Sequence, residues 1–482
     1  MGFLRATKLV ALAFIIGFIA FKPGESPDFA NAGGAGGPVP GTEVPIDSGV
    51  PDTGIPDSTG PSTGTDIPSD SGGSSGGSGG TTDGSGLSGG SGKNLTCNRS
   101  GNGGATDVGV TASEIKLAST VVQSGPGSSF LGDSPTGMSA VVRKINSQGG
   151  ICGRLLKLQL VDDGWDAARG LGFIKTFIAE KNFALPVVPS SEGLTAAISA
   201  GEIRKAGIPV IGTDGMLKQQ YEDPWVWPVA TATVSTMRII AKHAYSKGAR
   251  CFGIVWDTRY KFGKEGEQAF VEFVKKLPGA KVCGNQGILP ARASYSSEIQ
   301  SFNSSCSGKC DAVALLLEPQ TALTWINGRP EMGDITSGAQ PLFNETFARN
   351  CGEKCSGMLV WTGYNPPIGA LESRPGVREY VNDVRSVSPT VDVKNQFLEG
   401  AYLGMTVFVE ALKAVGPELT RARLAAVMNS KTFQHDIAQK LSWTTGNRNA
   451  NCSAQAFRLV TAQGSFADFA NEQTGFIKDP TC

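Results

Sequence analysis

From residue 115 onward, short runs of apolar and β-branched residues alternate with longer stretches whose apolar positions recur at helical spacing. Ile115–Val122, Leu155–Asp162, Ala184–Val188 and Pro209–Thr213 read as strands. Residues 134–148, 165–181 and 192–206 between them read as helices with one apolar face. The scheme repeats with strands at Cys251–Asp257, Lys281–Leu289, Asp311–Leu317 and Met358–Thr362, again with helices between. Strand–helix alternation predicts parallel sheets covered on both faces. Two such runs, joined by 214–235, predict an α/β chain with two similar doubly wound lobes. Ligands of open parallel sheets bind beyond the carboxyl ends of the strands. Two lobes facing each other that way enclose a cleft.

The first 93 residues break this pattern. Arg5 and Lys8 precede a 13-residue apolar run, Leu9 to Phe21, closed by Lys22. These are the charged and apolar regions of an export signal, too short for an ordinary span of about 20 residues. Ala30-Asn31-Ala32 supplies a small-residue cleavage site far past the apolar run. Residues 1–32 therefore read as an export signal or a short membrane anchor. In 33–93, Gly, Ser, Pro and Thr make up roughly three-quarters of the residues, and there is no aromatic. Such a segment buries too little apolar surface to offset its ordering entropy, so it is expected to be a disordered linker. The folded part is expected at 94–482, in or near the cell envelope or outside the cell.

Charge narrows the partners. The chain of 482 residues carries 43 basic and 43 acidic side chains. Residues 94–482 hold 39 basic and 34 acidic ones, a formal +5. That balance gives no electrostatic case for nucleic acid. Ten cysteines, all beyond the linker, fit an exported protein with disulfides. Two C-x-x-x-C pairs, Cys306/Cys310 and Cys351/Cys355, favour local ring closure; four thiolates on one zinc ion are the competing reading. The remaining expected pairs are Cys97–Cys152, Cys251–Cys283 and Cys452–Cys482.

Catalytic chemistry finds few candidates. The only histidines are His243, in a helical pattern, and His435, near the C-terminus. Neither lies by a strand end where a nucleophile would need its base. Asp162 and Asp163 are adjacent, so their side chains leave the strand on opposite faces, and a solvated turn is the expectation. Gly125-Pro126-Gly127-Ser128 lacks the third glycine of a dinucleotide loop, and Pro126 removes a donor. No enzymatic activity, cofactor or metal is expected.

Several stretches carry a resemblance. Val110-Thr111-Ala112-Ser113-Glu114-Ile115-Lys116-Leu117 opens the first strand. Ser124-Gly125-Pro126, Phe130 and Gly132 follow it. Then comes Ile145-Asn146-Ser147-Gln148-Gly149-Gly150-Ile151-Cys152-Gly153-Arg154, with Asp162-Asp163 after the next strand. Ile254-Val255-Trp256-Asp257 through Phe262-Gly263 opens the second half. Over about 107–465 the chain resembles the leucine/isoleucine/valine-binding protein family, the type I periplasmic solute-binding proteins. The resemblance implies a Venus-flytrap fold, two doubly wound lobes joined by a three-strand hinge. Lobe 1 is expected at about 94–232 and 364–445, lobe 2 at about 233–363 and 446–482. It implies capture of a small molecule, an amino acid or related compound, and delivery to the permease of an ABC importer. A sensory receptor reporting to a signalling partner would use the same cleft.

The resemblance also implies site residues. From the first lobe come Ser124 and Phe130 in the first strand–helix loop, Ser190 and Ser191, and Thr213. Ser190 is equally a helix N-cap with Glu192 in the first turn; as a ligand contact it would hold a carboxylate. Asp214 and Met216 depart from the family pattern beside Thr213. From the second lobe come Tyr260 and Phe262 as an aromatic wall, Glu345 for a ligand ammonium, and Glu318 as the alternative acid, where the family usually has tyrosine.

Overall fold

The computed structural model describes residues 95–482, apart from 445 and 473. The expected export signal and linker lie outside the described residues. Five parallel strands form the first sheet: β1 (Glu114–Val121), β2 (Leu155–Asp162), β3 (Leu185–Pro186), β4 (Val210–Ile211) and β5 (Val226–Trp227). The order is β2-β1-β3-β4-β5, with β1 and β3 joined by a single bridge, Leu117 to Ala184. Ile115, Leu117, Ala118 and Val121 are fully buried, as expected of a strand covered on both faces.

The second sheet has a parallel core of β6 (Cys251–Asp257), β7 (Lys281–Ile288), β8 (Ala312–Leu316), β9 (Ile335–Gly338) and β10 (Leu359–Thr362), ordered β7-β6-β8-β9-β10. Beyond a small hairpin, β11 (Thr432–Phe433) and β12 (Leu441–Ser442), the chain adds β13 (Ser453–Ala462), β14 (Ser465–Asn471) and β15 (Ile477–Lys478). β13 pairs antiparallel with β10, and β14 and β15 pair antiparallel with β13. The parallel alternation of the sequence thus ends in an antiparallel margin.

The helix Gln396–Val415 belongs to the first sheet although it follows the second in sequence. It is buried on nearly every side, which fits its almost unbroken apolar sequence. Its side chains share one core with those of the helix Ser134–Ser147 and of β1. Close approach to β4 needs two glycines: a Cβ on Gly212, whose φ is +86°, would lie 2.4 Å from Gly404 Cα.

The chain passes between the two sheets three times, and one side chain ties the passages together. Asn451, 1% exposed, donates through Nδ2 to Val229 O (3.2 Å) and Gly363 O (3.1 Å). Thr231 Oγ1 donates to Ser453 O at 2.7 Å, and Gln455 Nε2 to Tyr364 O at 2.6 Å.

The cysteines form Cys97–Cys152, Cys251–Cys283, Cys306–Cys310, Cys351–Cys355 and Cys452–Cys482. Among the described residues, one group of three metal-capable side chains exists, Cys452, Asp479 and Cys482, and its two sulfurs are bonded to each other. No described helix is long and apolar enough to cross a membrane.

Candidate functional site

The loops leaving the carboxyl ends of both parallel sheets converge on one interlobe space. Trp165, just after β2, is buried between them. Its φ of +63° is rare for a bulky residue and is held from two sides. The Trp165 amide donates to Asp163 Oδ1 (2.9 Å) and its Nε1 to Ser191 Oγ (3.1 Å). The indole stacks on Tyr260 of the second lobe, with centroids 4.1 Å apart, and lies 5.7 Å from Phe262. Phe130 meets it edge-on at 5.4 Å and Phe397 lies behind Phe130 at 5.1 Å. An apolar cluster is therefore shared between the lobes. Around it the lobes exchange polar contacts. Glu192 Oε1 accepts from the Lys261 amide (3.1 Å), and Glu265 Oε2 from the Lys218 amide (2.8 Å).

Behind the cluster lies a small cavity whose walls include Val187, Pro189, Gly212, Asp214, Gln340 and Tyr364. Its free volume is about 20 Å³, which is about one water. Val187, like Trp165, has an unusual positive φ, 49°. Asp214 is the acid of this cavity. Its Oδ1 accepts from Gln220 Nε2 (2.9 Å) and the Met216 amide (3.3 Å), while Oδ2 is cut off from solvent with no hydrogen-bond partner. Burial pushes its carboxyl up to about 7, against the opposing pull of Gln220, the Met216 amide and Ser191. Across the cavity, Gln340 is 5% exposed; its Nε2 donates to Thr231 O at 2.7 Å and its Oε1 has no partner. On the second lobe, burial and then the neighbouring Glu318 push Asp257 up to about 7, while amides of Arg259 and Tyr260 oppose the rise.

The structure brings some expected residues together and separates others. Ser190, Ser191 and Thr213 are fully buried at the first-lobe strand ends, and Tyr260 and Phe262 face them through Trp165. Ser190 begins a helix without a side-chain capping bond. Thr213 Oγ1 is 2.5 Å from Gln220 Oε1. Ser124 stands exposed at the rim, its amide bonded to Asp162 Oδ1 at 3.3 Å. Glu318 is committed to its own helix, accepting from the Gln320 amide at 2.8 Å and the Thr321 amide at 2.6 Å. Glu345 lies elsewhere. It lines a separate groove of about 730 Å³ with Asp392 and Lys394, pairs with Arg349, and donates its amide to Asp392 Oδ2 at 2.7 Å.

Asp163 corrects an expectation. It is fully buried rather than in a solvated turn, because the chain folds back over it to place Trp165. Burial raises its pKa, and the Ser190 hydroxyl, the Trp165 amide and Thr120 oppose the rise. Sequence reasoning missed Trp165, Gln340 and Tyr364. Gln340 stood in the same Gln340-Pro341-Leu342-Phe343-Asn344-Glu345 stretch as Glu345, and a strand ending at Gly338 would have placed it at the strand's carboxyl end. Both histidines are structural neighbours of aromatic or acidic side chains: His243 lies edge-on to Trp361 at 5.2 Å, and His435 Nε2 is 3.7 Å from Glu410.

Residues 114–465 match a family model described as periplasmic binding protein. A fatty acid ABC transporter substrate-binding protein from Thermomonospora curvata shares 15% identity over 78% of this chain and 95% of its own, with a TM-score of 0.66. A solute-binding protein of an ABC transporter from R. palustris, in complex with 4-hydroxybenzoate, shares 16% identity over 76% and 97%, with a TM-score of 0.64. The branched-chain amino acid transporter substrate-binding protein of Streptococcus pneumoniae, in complex with isoleucine, shares 17% identity over 76% and 99%, with a TM-score of 0.63. No curated protein matches the sequence. Identities of this size carry the fold; three such different ligands leave the solute to be argued from the site.

Proposed function

Because the chain belongs to the periplasmic binding protein family, we propose that it is an exported solute-binding protein. It captures a small molecule, an amino acid or related compound, between its lobes and hands it unchanged to the permease of an ABC importer. One observation carries this reading: strand-end loops of both sheets close on one space, with Trp165 of the first lobe stacked on Tyr260 of the second. Contacts of that kind form only when the lobes meet, so closure and occupancy can be coupled. The moving bodies are residues about 94–232 with 364–445, and 233–363 with 446–482. Their pivot is the triple passage laced by Asn451. Ser190, Ser191, Thr213, Phe130, Tyr260 and Phe262 form the contact shell, with Ser124 at its mouth. The N-terminal segment exports the module and its linker holds it off the membrane. A thermal-shift screen against amino acids, amides, short peptides and small aromatic acids tests this, since a ligand of the folded state raises the melting temperature. A stabilising hit whose effect is lost in Tyr260→Ala supports capture between the lobes. A screen without hits, or hits indifferent to Tyr260, counts against it.

A further inference from the structure

The walls of the interlobe cavity also select a solute, granted that solute capture happens there. Two buried oxygens without a hydrogen-bond partner belong to residues that line this cavity from opposite lobes. They are Asp214 Oδ2, after β4, and Gln340 Oε1, after β9. The Gln340 amide cannot simply turn its donor inward, because Nε2 already serves Thr231 O. Near Asp214, the Ser191 hydroxyl accepts from Trp165 Nε1 and lies close enough to hold the carboxyl's pKa down, yet makes no hydrogen bond to Oδ2. The Gly215 amide goes to Gln220 Oε1 (3.1 Å) and the Met216 amide to Asp214 itself. No lysine, arginine or histidine lines the cavity, whereas the rings of Phe397 and Tyr364 do. An unpaired buried acceptor costs about 1–3 kcal/mol, and more when charged. A ligand donor that reaches both atoms removes that cost, and the aromatic rings suit a cation beside them.

We propose that this cavity recognises its solute through an amine, with the ammonium or an equivalent N–H-rich cationic head held between Asp214 and Gln340. The polarity is the reverse of an amino-acid site whose first lobe takes a carboxylate. Here the first lobe supplies the anion, and a carboxylate on the solute is not required. With free space for about one water in the closed form, the amine enters while the lobes are apart. Asp214 ionises as the amine binds, so affinity should rise with pH up to about 7. Its neighbours Glu192, Tyr221 and Tyr364 are acids.

Matched probes test this on the whole chain by calorimetry. Butylamine is compared with butanol and butyrate, and benzylamine with benzyl alcohol and benzoate. The amines should bind at least tenfold more tightly than either partner. Asp214→Asn should weaken amine binding tenfold or more. Gln340→Met, which removes the second acceptor at similar volume, should also weaken amine binding about tenfold, and this variant keeps the test open if Asp214→Asn folds poorly. Tighter binding of the acids or alcohols, or amine affinity indifferent to both variants, overturns the amine assignment and leaves capture between the lobes standing. Absence of binding by both amines overturns it too. Only failure of the broad thermal-shift screen, acids and peptides included, strikes at solute capture itself.

Discussion

Asp214 and Glu345 each present a carboxylate to a space bordered by both lobes, yet their surroundings make them different groups. Glu345 pairs with Arg349 at the edge of an open groove of about 730 Å³, where water supplies whatever hydrogen bonds the protein does not. Asp214 faces about 20 Å³ of free space, has one oxygen without a partner, and holds its proton up to about pH 7. The charged residue that motif reasoning favours for a ligand is thus neutralised on the surface. The recognition potential lies in an acid that the fold has left incomplete at a cavity lined by both lobes. Unsatisfied polarity under burial, and not charge alone, marks a site.

Three changes probe this contrast, and the largest effect belongs to the aromatic stack between the lobes. Trp165→Ala removes the stack on Tyr260 and Phe262 and the bond to Ser191. It should lower unfolding free energy by about 3–5 kcal/mol, as for other buried aromatic truncations, read as a shift in urea midpoint. A loss under 1 kcal/mol would mean that the lobes are usually apart in solution. The next effect is a pH dependence. Asp214 is raised to about 7 in the folded protein, while an unfolded aspartate titrates near 3.9. Between those values the folded state holds a proton that the unfolded state has released, so this group makes stability fall as pH rises. Asp214→Asn should therefore gain on the parent as pH goes from 4.5 to 8, by on the order of 3 kcal/mol, measured as the difference in denaturation midpoints. A constant difference would show that Asp214 is not desolvated. The smallest effect is on the other side of the comparison. Glu345→Gln breaks an i,i+4 pair with an exposed arginine and should cost no more than about 0.5 kcal/mol. Solute affinity should stay unchanged by calorimetry; a tenfold loss would return Glu345 to the site and undo the contrast.

Much of the scaffold was legible in the sequence, because buried parallel strands leave long apolar runs. β1, β2, β6 and β7 lie within a residue or two of their expected bounds. β9 was not read, since Ile335-Thr336-Ser337-Gly338 is short and half polar and is a strand only through its neighbours. The antiparallel margin β13–β15 lies beyond the last strand–helix repeat, where the alternation predicts no further strand. The site was less legible. Ser190, Ser191, Thr213 and Tyr260 could be found from strand ends, whereas Trp165 sat at the start of an expected helix. Its importance depends on a left-handed turn and on a partner 95 positions away. Asp214 was noticed only as a departure from a pattern, and nothing in a sequence says which acid will lack a partner.

The lacing at the pivot has a consequence in time. As the chain is synthesised, the strands of the first sheet appear first, but the helix Gln396–Val415 that fills their core follows the whole of β6–β10. Asn451, which joins the three passages, comes later still. The amino-terminal lobe therefore waits, half covered, while its partner is made, and neither lobe has an early, independent finish. A polypeptide ending before residue 396 would be a strand set without its lid, so interruption of synthesis leaves adhesive fragments rather than one sound half.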